Sequence, residues 1–153
     1  MQREEMTPMK SLIAILMLGT LATQVSAGTV QCRFADGNGQ FIFNASFDDN
    51  GKTGLVAING RLASPSIKAK PGVSSLAIAA AHVHAQAFDR NGAYLKLRFP
   101  ASVTVASDVM LDIAARRTKA EGIVYVGNYM LAIAPAVEAD NVAYSGTATC
   151  GIK

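Results

Sequence analysis

From Gly28 onward the chain repeats short runs of alternating apolar and polar residues, each closed by Gly, Asn or Asp, and this pattern confines it to antiparallel strands. Gln40–Phe47 is the clearest run. Phe41, Phe43, Ala45 and Phe47 share one face and Asn44 and Ser46 the other, as in a half-buried strand. Asp36-Gly37-Asn38-Gly39 precedes it and Asp48-Asp49-Asn50-Gly51 follows, both built from residues that accept positive φ. After Leu55–Ile58, Asn59-Gly60 is the strongest two-residue hairpin signal in the chain. Arg61–Ala69 then reads as a weaker strand, with Pro65 placing it at an edge or a bulge.

Two segments are ambiguous between helix and strand. Leu76–Phe88 is rich in alanine, but its alternation favours a strand with one nearly all-small face, suited to close packing inside a small barrel. In Ser102–Gly122, Ser107-Asp108 could cap a helix, whereas the alternation of Val109, Leu111, Ile113 and Ala115 favours a strand. Ala93–Phe99 is plainly β. Gly127-Asn128 is either a tight turn or a bulge within one long strand, and Val142–Cys150 closes the series. The expected fold is all-β, a small antiparallel β-barrel or two-sheet β-sandwich of about eight or nine strands.

Ahead of this pattern stands a single Lys10 followed by the apolar run Leu12–Ala22, then Val25-Ser26-Ala27. This is the layout of a secretory signal peptide spanning 1–27, cut after Ala27, leaving one domain over 28–153. The run is shorter than the roughly 20 residues of a spanning helix, so no stable membrane anchor is expected. The two cysteines fit export to a periplasm or beyond the cell: Cys32 and Cys150, near the two ends of that domain, form the simplest disulfide in an oxidising compartment. Closing a loop of more than a hundred residues contributes on the order of 4–5 kcal/mol in the chain-entropy account.

The net charge is +3, with basic residues scattered except for Arg116-Arg117-Thr118-Lys119. That argues against nucleic acid as a partner. The basic cluster reads first as a solvated hairpin end. Its sharper reading is a contact patch for an anionic glycan, lipid headgroup or acidic partner, in which we group Arg116, Arg117 and Lys119 with the phenols of Tyr125 and Tyr129. Tyr94 and Tyr144 complete the supply of phenols.

Catalytic motifs fail one by one. Gly51-Lys52-Thr53 ends like a phosphate-binding loop, but Ser46 stands where the first glycine is needed. Counting twelve residues from Asp36 or Asp48 reaches Phe47 or Asn59, not the bidentate Glu of a calcium loop. No nucleophile elbow is present, and no carboxylate pair stands out. The chain is expected not to be an enzyme and to need no cofactor. One metal reading remains: His82 and His84, two apart on a strand, would project from one face toward zinc or copper, with Asp89, Met110 or Met130 as further ligands. Solvent-facing or structural histidines are the plainer account.

A signal segment, a first-strand cysteine, a short β-domain and a last-strand cysteine together resemble the layout of small periplasmic barrels that include bacterial lysozyme inhibitors. The Ser-Gly-x-x-Tyr signature of that inhibitor loop does not occur, since Tyr144-Ser145-Gly146 has its residues in another order. No functional residue carries over. The expected function is a non-catalytic binding or inhibitor module of the cell envelope, monomeric, whose partner is an envelope or extracellular protein or a small ligand. A metal-handling protein using His82 and His84, and a surface-assembly subunit pairing through an open edge near Pro65, are the alternatives.

Overall fold

In a computed structural model the chain is described over residues 28–48, 54–119, 121–135 and 141–153. The expected signal segment and the turn residues 49–53 lie outside the described residues. Among the described residues alternation drives nine strands: β1 (Thr29–Asp36), β2 (Gly39–Phe47), β3 (Leu55–Ala63), β4 (Leu76–Ala77), β5 (Val83–Phe88), β6 (Gly92–Phe99), β7 (Ser107–Arg117), β8 (Ile123–Pro135) and β9 (Val142–Ile152). All pair antiparallel in one sheet of order β4-β3-β2-β1-β9-β8-β7-β6-β5.

That order forces curvature. The edge strands β4 and β5 are consecutive in the chain, joined through a single 3-10 turn at Ala80–His82. Eight strand spacings would put the edges of a flat sheet about 38 Å apart. The six steps from Ala77 to Val83 reach at most about 21 Å. The sheet therefore curls into a half-barrel that brings its two edges toward each other.

The concave face carries the core. Phe41, Phe43, Leu62, Leu95, Leu97, Leu111, Ile113 and Leu131 are completely buried, and each contributes roughly 1.5–3 kcal/mol relative to exposure. Cys32 and Cys150 sit directly opposite each other on β1 and β9 and form the expected disulfide, joining the N-terminal and C-terminal strands.

Several local readings hold: the β1–β2 turn closes at Asp36 and Gly39, and Ser107–Arg117 is a strand, not a helix. Gly127-Asn128, expected as a turn or a bulge, is neither: β8 runs through it in unbroken register with β7 and β9, and a Cβ on Gly127 would collide with the Ala114 carbonyl oxygen, so the glycine permits the close approach of β7.

Three further expectations are corrected. Asn59-Gly60 is not a turn: β3 passes straight through it, and Gly60 is needed because a Cβ there would lie 2.2 Å from the Ile42 carbonyl oxygen of β2. The expected strand Arg61–Ala69 ends at Ala63, and Ala69 makes only an isolated bridge to Val105. Leu76–Phe88 is not one strand either. It breaks into β4, the 3-10 turn and β5, because this segment must carry the chain from one sheet edge to the other.

The irregularity of β3 sits at Ala57 instead, where the register with β2 shifts between Asn44 and Ser46 and the alanine holds φ at 51°. A side chain in this left-handed region costs about 1–2 kcal/mol, against the roughly 0.5–1 kcal/mol that glycine loses in chain entropy. Ala57→Gly is expected to raise stability by about 0.5–1 kcal/mol, read as a higher urea midpoint. A lowered midpoint would show that this conformation carries no net strain.

Candidate binding face

The candidate histidines do not form the paired face that strand geometry suggested. His82 lies in the 3-10 turn, its ring stacked on Phe99 with centroids 4.6 Å apart, and its Nδ1 accepts the Ala79 N–H at 3.0 Å. His84 is exposed in β5, at the register shift between Val83 and Ala85. Among the described residues no three His, Cys, Asp or Glu side chains gather in a metal-binding arrangement.

The five-residue contact patch is split: Arg116 stands on the convex face, whereas Arg117, at the end of β7, pairs with Tyr125 and shares its side of the sheet. Arg116, Arg117 and Lys119 are exposed, but Tyr125 and Tyr129 are each 1% exposed and face the core. Tyr125 donates its hydroxyl to the Asp89 carbonyl at 2.6 Å, tying β8 to the β5–β6 turn. Burial pushes its phenol above the ordinary value. Tyr129 donates to Asp36 Oδ2 at 2.6 Å and accepts from Asn38 Nδ2 at 3.2 Å, so it latches the β1–β2 turn to β8. Its ring stacks on Phe34 at 3.8 Å. The Tyr129 hydroxyl is the main cause holding the Asp36 carboxyl below its usual value, while burial, then Asp36, push Tyr129 up. These phenols are structural pins. Tyr144, half-buried, shares a hydrogen bond with Ser66, and Tyr94 alone is exposed, at 37%.

On the convex face the register assembles something that the linear sequence scatters. Arg116 pairs with Val126, Val126 with Thr149, Thr149 with Arg33, Arg33 with Ile42, and Ile42 with Arg61. Six adjacent strands thus contribute one side chain each to a row perpendicular to the strands. Arg33 stands two strands from Arg61 and three from Arg116, or roughly 10 and 14 Å at the usual strand spacing. All three arginines are exposed, and among the described residues none lies within ion-pair distance of a carboxylate. The neighbours two residues along each strand include no acid: Gln31 and Ala35, Gln40 and Asn44, Asn59 and Ala63, Thr147 and Gly151, Val124 and Asn128, Ala114 and Thr118.

Beside the row runs an amide ladder. Gln31 Nε2 donates to Asn44 Oδ1 at 2.9 Å, and Asn44 Nδ2 donates to Asn59 Oδ1 at 3.3 Å. At its β7 end the row meets a shallow depression of about 410 Å³ lined by Tyr94, Asn91, Asp89, Ala114 and Arg116. The convex-face ion pair Lys96–Asp112, at 3.7 Å, lies four residues along β7 from Arg116.

No protein-family model, curated protein or solved structure matches this chain. The face is therefore read from its own chemistry. Sequence reasoning found Arg116 but missed Arg33 and Arg61. Each lies on the polar parity of its strand, a signal that gives the face but not the neighbour.

Proposed function

We propose that this chain is an exported, non-catalytic binding module, built on a small antiparallel barrel, that engages an envelope or extracellular partner through its convex face. The observation that carries this reading is the row of three arginines held in fixed register without acidic partners among the described residues. The sheet sets the spacing of the three arginine backbones before a partner arrives, so an external anion supplies what the fold does not. The disulfide supports an oxidising compartment. No helix among the described residues is long and apolar enough to cross a membrane.

Immobilised mature protein is expected to retain a component of envelope extract, and Arg33→Ser/Arg61→Ser/Arg116→Ser to lose that retention by about tenfold or more. Arg117→Ser/Lys119→Ser, which alters the hairpin end but not the row, should keep it. Retention indifferent to the row, or none by either protein, would overturn the assignment.

A further inference from the structure

Resting on that reading, we infer that the partner is an acidic polysaccharide whose chain lies across the β-strands, along the row Arg116, Val126, Thr149, Arg33, Ile42 and Arg61.

The length of the row selects an extended ligand. Five strand spacings separate its end residues, roughly 24 Å, so a small anion meets one guanidinium while a polymer meets all three. Guanidinium groups pair with carboxylate or sulfate in bidentate fashion, and both occur on acidic sugars. The surfaces beside the row fit the remainder of such a chain. On one side the amides of Gln31, Asn44 and Asn59 offer donors and acceptors to sugar hydroxyls, and on the other Gln40, Asn128 and Thr147 do so, all of them exposed except the half-buried Asn44. Ala35 and Ala114 keep the second side low, so that a bulky ring can rest against the arginine stems.

Other polyanions fit less well. Single-stranded nucleic acid is held by successive aromatic platforms, but the row contains none, and only Tyr94 stands near, at its β7 end. An acidic peptide that recognises a sheet adds to an edge through its backbone, whereas this row crosses the middle of the face, with β1, β9 and β8 at its centre.

The test uses the mature, oxidised protein and measures binding to polygalacturonate and alginate, with dextran as the neutral polymer and polyglutamate and single-stranded DNA as other polyanions. Both acidic polysaccharides are expected to bind and dextran not. Raising salt from about 0.1 M to about 1 M, which shortens the Debye length from about 10 to about 3 Å, should weaken binding by tenfold or more. Arg33→Gln and Arg61→Gln should each lose about tenfold, and Arg90→Gln, outside the row, less than about twofold. Unchanged thermal midpoints establish that the variants are folded. Equal binding of polyglutamate or DNA, equal losses at Arg90 and in the row, or no binding to either polysaccharide would overturn the inference. Row-dependent capture from extract, with no polysaccharide binding, would overturn it while leaving the convex face as the binding surface.

Discussion

Replacing Cys32 and Cys150 together by alanine is expected to cost about 4–5 kcal/mol, a large share of the roughly 5–15 kcal/mol that holds a domain folded. The cross-link spans a sequence separation of 118 residues, so its loss releases a long loop in the unfolded chain. Its place in the sheet adds to this. Two hairpin series, β1 to β4 and β5 to β9, are joined by strand pairing where β1 meets β9, and that ladder runs over four residue pairs, from Val30–Ile152 to Arg33–Thr149. The neighbouring β8–β9 ladder runs over eleven. The disulfide thus bolts the shortest interior ladder, one pair away from Arg33. Urea unfolding of the oxidised protein and of Cys32→Ala/Cys150→Ala gives the difference directly. Hydrogen exchange should show protection lost first at Val30–Arg33 and Thr149–Ile152, before β7 and β8. A stability change below about 1 kcal/mol would mean that the β1–β9 junction holds without its cross-link.

How much of this was legible in the sequence depended on the range of the information. The parity of Phe41, Phe43 and Ala45 fixes which face of β2 is buried, because alternation is a local property. The disulfide was legible because only two cysteines exist and both lie near the ends of the β-region. Asn59-Gly60 misled because its turn preference is real but weaker than the demand for close approach to Ile42. His82 and His84 misled because strand parity was carried across a segment that the topology breaks into a 3-10 turn. Tyr125 and Tyr129 stand on the apolar parity of β8 with Leu131 and Ile133, a signal present in the sequence that marks them as core residues and not as part of the basic patch. The arginine row was not legible at all. It depends on five strand registers at once, and registers join residues as far apart as Arg33 and Thr149.

Gly146→Ala is expected to cost about 2–3 kcal/mol in the otherwise unchanged protein, at the upper end of the penalty for overfilling a packed site. A Cβ at this position would lie 2.6 Å from Cε1 of Tyr129 and 2.6 Å from Asp36 Oδ2. The carboxylate end can swing away, but the ring cannot. It is stacked on Phe34, and its hydroxyl is held by Asp36 and Asn38. Tyr129 and Gly146 are also paired directly across β8 and β9, so the phenol covers the glycine's bare backbone. Tyr129→Leu removes both hydrogen bonds and the stacked pair, for about 2–4 kcal/mol. With the ring gone, the added methyl at Gly146 has room, and the second substitution should cost less than about 0.5 kcal/mol. A double-mutant cycle by urea denaturation should therefore show a coupling of about 2 kcal/mol, whereas costs that add within about 0.5 kcal/mol would place the strain of Gly146→Ala in the backbone and not against Tyr129. Because the same phenol latches the β1–β2 turn to β8, strong coupling would also mean that the strands presenting Arg33, Ile42 and Val126 are held in place from the core side of the sheet.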